Sequence, residues 1–251
     1  MLADITALDP RTIAVLSDFD GSLAPIVERP EDAVPVPGAR QVLGRLLVDA
    51  GLVGIVSGRP VDFLRTRLDV DGLVLVGQYG LERLEGSVVV ADPRIADYAA
   101  AIAAARAEAE SSWPELYVEH KGDTAFTVHW RSRPDRDVGG AVRALARRHG
   151  LRSHGGRMAC EVRPPVDLDK GSAVRELVDG YRGAVFVGDD RGDLSAFAAL
   201  DDVPVTLRVG VRSPEAPHEL DRAVDVMVDG PEGAVALLSE LADEISAHRS
   251  R

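Results

Sequence analysis

The sequence predicts an α/β protein: a doubly wound parallel sheet of Rossmann-like type with a smaller α+β domain inserted into it. Three observations carry this prediction. Short apolar, β-branched runs alternate with amphipathic stretches near both ends of the chain, the order that a parallel sheet with crossover helices requires. The middle of the chain instead gathers helices with strands that alternate and turn back on themselves. Acidic residues and glycines follow the apolar runs, where the loops at the carboxyl ends of strands carry function in such folds.

Ile13–Ser17 reads as the first strand and ends in acids and a glycine. Ala39–Val48 sets Val42, Leu43, Leu46 and Leu47 at three-to-four spacing, one face of a helix. Leu52–Val56 is a second buried strand, followed by Ser57-Gly58-Arg59-Pro60 and a helical stretch through Leu68; Leu73–Val76 is a third strand. This βαβαβ order predicts right-handed crossovers. Ser87–Val90 then reads as a strand and Ile95–Ser112 as an Ala-rich helix. Tyr117–His120 and Ala125–Trp130 alternate as strands around the turn Lys121-Gly122-Asp123. A basic helix over Asp137–His149 precedes Leu151–His154 and Met158–Val162, a hairpin expected to turn at Gly155-Gly156. The doubly wound pattern resumes with helix Ser172–Tyr181, strand Ala184–Val187, helix Leu194–Leu200, strand Val203–Val209 and a last helix, Gly233–His248. Residues 1–86 and 164–251 are expected to form the core and 87–163 the insert, joined near Gly86 and Pro164-Pro165 as hinged lobes.

Composition narrows the partners. The 251 residues are 45% hydrophobic and 28% charged, which excludes a disordered or low-complexity chain. No apolar run is long enough for a membrane span, and Asp4 and Asp9 stand where a signal peptide would be basic, so a soluble, cytoplasmic chain is expected. A single cysteine, Cys160, excludes a disulfide framework and a cysteine-rich metal site. The formal charge of −12 argues against nucleic acid as a partner, and a monomer acting on a small molecule is expected. The charge is uneven: nine Arg between Arg131 and Arg163 against Asp135, Asp137 and Glu161 give a local +6. That stretch is either an Arg-lined surface facing an anionic substrate or a set of solvated helix faces. Only two of the 29 basic residues are lysines, Lys121 and Lys170. In so Arg-rich a chain, a retained lysine points to a compact ammonium that a planar guanidinium cannot replace.

The chemistry lies at the strand ends. Asp18-Phe19-Asp20-Gly21-Ser22 delivers two carboxylates, which together can share one Mg²⁺. One carboxylate can attack phosphorus while the other protonates the leaving oxygen; the alternative is a plain Asp/Gly surface turn. Ser57 and Gly58 offer a hydroxyl and backbone N–H groups at a helix start, either a phosphate cradle or an ordinary cap, with Arg59 beside them as a candidate substrate contact. Lys170 opens a helix with Gly171-Ser172; it either neutralises a phosphoryl oxygen and the nucleophile together or sits in solvent. Gly188-Asp189-Asp190-Arg191-Gly192-Asp193 crowds acids after a buried strand, which is costly unless a cation neutralises them. Asp189 is the natural direct metal ligand and Asp193 a second ligand or an outer partner; an Asp-rich helix start is the bland alternative. Together these loops point to phosphoryl transfer through an aspartyl-phosphate.

These four segments occur in the order of the motifs of the haloacid-dehalogenase-like phosphatases, and the insert resembles the cap that some of them carry. Over nearly its whole length the chain resembles the trehalose-6-phosphate phosphatase family, through DFDGSLAPI (Asp18–Ile26), VEHKGDTAFTVHWR (Val118–Arg131) and GRMACEVRPPVDLDKG (Gly156–Gly171). The resemblance implies Asp18 as nucleophile, Asp20 as general acid/base, and Asp18, Asp20 (through its carbonyl) and Asp189 as holders of Mg²⁺. It also implies that Glu119, Lys121 and Glu161 hold sugar hydroxyls, as carboxylate acceptors and an ammonium donor can; paired charges on exposed strands are the alternative. His120 and His129 have no metal-ligand spacing and are read as structural. The chain departs from the family pattern at Leu194 and Ser195, where two acids are usual. It departs again at Gln78-Tyr79-Gly80, where Ser/Asn-His-Gly is common, and conservatively at Ser22, where Thr is usual. The expected activity is hydrolysis of trehalose 6-phosphate. The competing readings are another disaccharide or pseudo-disaccharide phosphate as substrate, a receiver-type switch, and a sugar-phosphate-binding protein without catalysis.

Overall fold

The computed structural model describes residues 2–156, 158–213 and 216–249. The chain divides into two compact units, Met1–Val89 with Leu168–Arg251, and Val90–Asp167. In the first, a short helix α1 (Leu2–Thr6) leads to β1 (Ile13–Ser17), α2 (Ala39–Asp49), β2 (Leu52–Val56), α3 (Val61–Leu68) and β3 (Val74–Gly77). Two further strands follow, β4 (Glu82–Glu85), antiparallel to β3, and β5 (Val88–Ala91) at the sheet edge. The second unit holds α4 (Ala99–Ser112), β6 (Tyr117–Lys121), β7 (Ala125–His129), α5 (Gly139–Arg148), β8 (Arg152–Gly156) and β9 (Ala159–Arg163). The first unit then resumes with α6 (Lys170–Val178), β10 (Gly183–Gly188), α7 (Asp193–Ala198), β11 (Val205–Arg212), α8 (Leu220–Ala223), β12 (Val226–Asp229) and α9 (Gly230–Arg249).

The large sheet runs β12-β11-β10-β1-β2-β3-β4-β5, with parallel pairing from β12 through β3. β1 lies between β2 and β10, so the order of winding reverses there. The loops after β1, β2 and β10 leave the sheet at one crevice, the usual ligand position in such sheets. The burial pattern explains why these strands read as unbroken apolar runs: β1 and β10 are buried throughout, with helices on both faces. Ile13, Val15, Val185 and Val187 join the core under α2, α3 and α9, with Leu43, Leu64 and Leu238. Ala14, Leu16, Ala184 and Phe186 face the other way, against Val174 of α6 and Phe197 of α7. The two faces alternate residue by residue, as a strand's period of two requires.

The second unit is an antiparallel sheet, β6-β7-β9-β8, with both helices on one face. Phe126, Val128, Cys160 and Val162 point into a core with Ile102 and Ala105 of α4 and Val142 and Leu145 of α5. The basic stretch spends its charge locally: Arg133, Arg136, Arg148 and Arg152 pair with Asp135, Glu115, Glu108 and Asp167 of the same unit. Arg157 lies outside the described residues.

The structure differs from the sequence reading in several places, among them α4, which starts at Ala99 and not Ile95, and β11, which runs over Val205–Arg212 and not Val203–Val209. Strands β4 and β12 were not expected; Glu82-Arg83-Leu84-Glu85 is polar, and β12 is a short sheet-edge strand with one neighbour. The hairpin turns after Gly156, not at Gly155-Gly156, because Gly155 and Gly156 pair with Cys160 and Ala159. Met158, with φ +54°, takes the left-handed conformation that such a tight return needs. Helix α6 begins two residues early, at Lys170, because Asp169 caps it: its Oδ1 accepts from the Ser172 N–H at 2.7 Å and Ser172 Oγ accepts from the Asp169 N–H at 3.0 Å. The second β–α pair, β2 and α3, is secured from a distance. Pro60 offers no side-chain cap to α3, and Glu82 of β4 accepts the Val61 N–H at 2.5 Å instead.

Burial pushes the Glu82 carboxyl above its ordinary value, against the smaller opposing pull of its hydrogen bonds from Val61 and Gln78. An acid whose folded-state value is raised takes up charge first in the unfolded chain. Its penalty is therefore absent at pH below the unfolded value and grows as pH rises through the folded one. Glu82→Gln keeps an acceptor for Val61 and removes that penalty. The difference in urea midpoint between the variant and the wild type should consequently be more favourable to the variant at pH 8 than at pH 4. Equal differences at the two pH values would show that Glu82 caps α3 at no electrostatic cost.

Candidate active site

At the end of β1 the ladder runs one residue further, with the Asp18 N–H donating to the Val187 carbonyl at 2.8 Å. This anchors Asp18 beside the β10 loop, where it is 4% exposed. Lys170, first residue of α6 and 2% exposed, reaches both loops: its Nζ is 2.7 Å from Asp18 Oδ2 and 2.7 Å from Asp193 Oδ1. Asp190 Oδ1 is 3.9 Å away. Burial alone would push the ammonium down, but the three carboxylates around it hold it well above its ordinary value, so Lys170 stays charged. The solvent-exposed alternative for this lysine is set aside by its burial.

Asp193 is committed on both oxygens. Oδ1 takes Lys170, and Oδ2 accepts the Asp189 and Asp190 N–H groups at 2.9 and 3.0 Å. Asp193 thus folds the β10 loop and fixes Lys170. Asp189 Oδ2 accepts from Ser213 Oγ at 3.1 Å, and burial together with the charges of Asp18 and Asp193 pushes its carboxyl up to about 8. Asp18 is raised as well, by burial, although Lys170 pulls against it.

Asp18, Asp189 and Asp193 bring a ligand oxygen each within 4.8 Å of one another. Asp18 Oδ1 is buried with no hydrogen-bond partner. Gly21, at φ +73°, lies flat against the Asp189 carboxylate, where a Cβ would stand 2.1 Å from Oδ2, so no side chain can enter there. Hard oxygen donors, an orphaned carboxylate oxygen and raised proton affinities fit a small dication, which would replace the protons these acids otherwise retain. Asp18 and Asp189 have oxygens to offer it; Asp193 has both of its own engaged.

The Asp20 carboxylate does not join this cluster. It turns to the β2 loop, where Arg59 grips it with Nε at 2.6 Å from Oδ2 and Nη2 at 2.7 Å from Oδ1. Ser57 is buried, and its Oγ accepts the Arg59 N–H at 3.3 Å. Gly58 lies under the Tyr79 ring, which a Cβ there would meet at 2.6 Å. Gln78, Tyr79 and Gly80 all have positive φ, and their N–H groups clamp the loop: Gln78 donates to the Arg59 carbonyl and Tyr79 to the Ser57 carbonyl, each at 3.0 Å. Left-handed backbone at two non-glycine residues in a row is costly and marks a place where surrounding contacts dictate the conformation. Ser195, where an acid is usual, accepts the Gly171 N–H at 3.1 Å and ties α7 to α6 beside Lys170; Leu194 packs against the core on that face.

In the second unit, Glu119, Thr127 and Glu161 form one rung across β6, β7 and β9, on the sheet face opposite the helices. Lys121 Nζ is 2.5 Å from Glu161 Oε2, both side chains 11% exposed. His129, read as structural, stands on this face too: its Nε2 is 2.9 Å from Glu119 Oε2 and its ring stacks on Tyr117 at 5.5 Å. Thr127 Oγ1 is buried with no hydrogen-bond partner. His120 points to the other side and pairs with Glu110 of α4 at 2.6 Å. Thr127, Ser213 and Glu82 escaped the sequence reading. The strand-end position of Ser213 and the two-residue spacing of Thr127 from His129 were the available signals.

The doubly wound sheet brings acids at the ends of β1 and β10, a lysine opening α6 and a hydroxyl after β2 to one crevice, and its fold is that of known haloacid dehalogenase-like hydrolases. A haloacid dehalogenase-like hydrolase from Bacteroides thetaiotaomicron has the same fold, with a TM-score of 0.62 at 14% identity, covering 91% of this chain and 98% of that one. A trehalose-6-phosphate phosphatase related protein is similar in structure at a TM-score of 0.76 and 23% identity, covering 95% of this chain and all of the other. Residues 16–219 match the trehalose-phosphatase family, and the chain belongs to it. It is 36% identical to the trehalose-phosphate phosphatase of Mycobacterium avium over 253 residues, 92% of this chain and 62% of that protein. It is 38% identical to an uncharacterized glycosyl hydrolase of Mycobacterium tuberculosis over 209 residues, 77% of this chain and 16% of that protein. The chain thus spans less than two thirds of the length of either relative. No helix among the described residues is long and apolar enough to cross a membrane.

Proposed function

We propose that the chain is a Mg²⁺-dependent phosphatase that hydrolyses trehalose 6-phosphate to trehalose and phosphate through an aspartyl-phosphate on Asp18. The observation that carries this reading is the buried Asp18–Lys170–Asp193 ion network with one Asp18 oxygen unpartnered. A carboxylate so placed is a nucleophile held in line by an ammonium, and family membership with relatives named trehalose-phosphate phosphatase supports the substrate.

In this reading an Asp18 oxygen attacks phosphorus, the bond from phosphorus to the sugar oxygen breaks, and Asp20 gives its proton to that oxygen. Asp20, now a carboxylate, takes a proton from water as the water oxygen attacks the aspartyl-phosphate. Phosphate leaves and Asp18 is restored. Lys170 neutralises the equatorial oxygens throughout, with the Ser57 hydroxyl and the Gly58 N–H as further donors. Mg²⁺, held by Asp18, Asp189 and the Asp20 carbonyl, would supply charge neutralisation at the phosphoryl group. Glu119, Lys121 and Glu161 recognise sugar hydroxyls, with Thr127 on the same rung. The same reading takes the chain as a cytoplasmic monomer whose partner is a small sugar phosphate.

Phosphate release from a panel of sugar phosphates, with Mg²⁺ and with a chelator, tests the proposal. Turnover is expected to need the metal and to favour trehalose 6-phosphate; metal-independent turnover, or preference for a monosaccharide phosphate, would overturn it. Replacing Glu119 by Ala, or Lys121 and Glu161 together, should lower kcat/KM for trehalose 6-phosphate by roughly ten- to a hundredfold per lost charged hydrogen bond while sparing a small phosphate ester. Equal losses on both substrates would mean that these side chains support the fold.

A further inference from the structure

We propose that Arg59 is a positioning residue for the acid/base Asp20, fixing the carboxylate that handles the proton, and contacts neither the phosphoryl group nor the sugar. The inference rests on the role given to Asp20 above and assigns Arg59 a task within it. Its guanidinium grips both Asp20 oxygens in a planar fork, at 2.6 and 2.7 Å, a geometry that a lysine cannot reproduce; to act as the acid, one oxygen leaves the fork and carries the proton while the other stays on the guanidinium. The fork is itself built in. The Arg59 guanidinium lies over the Phe63 ring, 4.7 Å from its centroid, and the Phe63 ring meets Phe19 edge-on at 5.8 Å. Phe19 is fully buried between Asp18 and Asp20 in sequence, so the packing that carries Arg59 is the packing that separates nucleophile from acid. The backbone of Arg59 is held on both sides, donating to Ser57 Oγ and accepting from the Gln78 N–H. The Arg59 side chain is 13% exposed and that of Asp20 29%, so the ion pair is sheltered at its Arg end and open where the proton must pass.

The consequence is chemical. A sugar oxygen leaves phosphorus poorly unless a proton reaches it, so an alkyl phosphate depends on a correctly held acid. Nitrophenolate leaves without a proton. The kinetic constant kcat/KM stops at the first irreversible step, transfer of the phosphoryl group, and so reads the acid role apart from the later activation of water. A residue that positions the acid is therefore exposed by the leaving group.

The test measures kcat/KM of wild type, Arg59→Gln and Arg59→Lys, with Mg²⁺, on trehalose 6-phosphate, glycerol 3-phosphate and 4-nitrophenyl phosphate. Asp20→Asn and the Asp20→Asn/Arg59→Gln double variant are run beside them. We expect Arg59→Gln to lose about a hundredfold on both alkyl esters, within the scale of general acid catalysis. That loss should exceed the loss on the aryl ester by at least about tenfold. Arg59→Lys should show the same pattern at smaller size. In the Asp20→Asn background, Arg59→Gln should add little on the alkyl esters, because the group it positions is gone. Equal loss on all three substrates would place Arg59 on the phosphoryl group or in the fold and overturn the inference. Loss confined to trehalose 6-phosphate would place it on the sugar, and no loss anywhere would leave an idle ion pair; either result also overturns it. A wild type that cleaves the two simple esters and ignores trehalose 6-phosphate would refute the proposed substrate while leaving the Arg59 comparison intact. An Asp20→Asn variant indifferent to leaving group would refute the acid role itself.

Discussion

Asp18→Asn is expected to remove phosphate release almost completely. The amide keeps the size of the carboxylate and its place at the end of β1, but has no anionic oxygen to attack phosphorus. Loss of a nucleophile from a catalytic unit costs on the order of 10⁶-fold in turnover, and phosphate monoesters react so slowly in water that no uncatalysed path would hide the deficit. The variant should still fold: Lys170 retains Asp193 at 2.7 Å as a partner, so its buried charge is not abandoned. Steady-state phosphate release and a thermal melt, measured together, separate chemistry from unfolding. Residual turnover above about one per cent in a folded variant would exceed what loss of a nucleophile permits.

Lys170→Arg should also be severe, although it keeps the charge. The Nζ sits in a pocket sealed to 2% exposure, between carboxylates of two loops. The backbone next to it leaves no room to spare, since a Cβ on Gly171 would lie 2.5 Å from the Ser195 carbonyl oxygen. A planar guanidinium is broader than an ammonium and cannot put one nitrogen at the point Nζ occupies. Losing a single well-placed donor to a developing charge costs about 10²–10³-fold, and displacement of Asp18 should bring the loss to the upper end of that range. Lys170→Met differs in kind: it leaves Asp18 and Asp193 buried without their cation, a destabilisation of about 3–5 kcal/mol. A pair of urea titrations should therefore show Lys170→Met well below Lys170→Arg in stability, with both catalytically poor. Near-normal turnover in Lys170→Arg would mean that charge alone, and not its position, is what the site uses.

Asp18 and Asp189 were legible in the sequence because each follows an apolar run that must be a buried strand, and Lys170 because it is one of only two lysines and opens a helix, although that helix was expected to start two residues later. The parallel sheet was legible for the same reason, through β1, β2 and β10 with their continuous apolar burial. Contacts between loops were not. The Asp20 carboxylate faces away from the Asp18, Asp189 and Asp193 cluster because the sheet order sets the β1 loop beside the β2 loop, and only then does Arg59 reach it. Glu82 caps α3 from a polar strand to which the sequence had assigned no element, 21 residues further along the chain than Val61. Thr127 and His129 fall on the face of Glu119 and Glu161 through cross-strand register, which spacing along one strand does not reveal. Sequence periodicity reports which face of its own element a residue occupies; which neighbour that face meets is decided by topology.

The most direct test of the central claim is to catch the phosphoryl group on its acceptor. Enzyme turning over trehalose 6-phosphate with Mg²⁺ is quenched in acid, reduced with borohydride, which converts a phosphorylated aspartate to homoserine, and read by peptide mass spectrometry. Homoserine at position 18, and at no other aspartate, is the predicted result. Homoserine at Asp20 or Asp189, or none anywhere in an enzyme shown to be turning over before the quench, would contradict it.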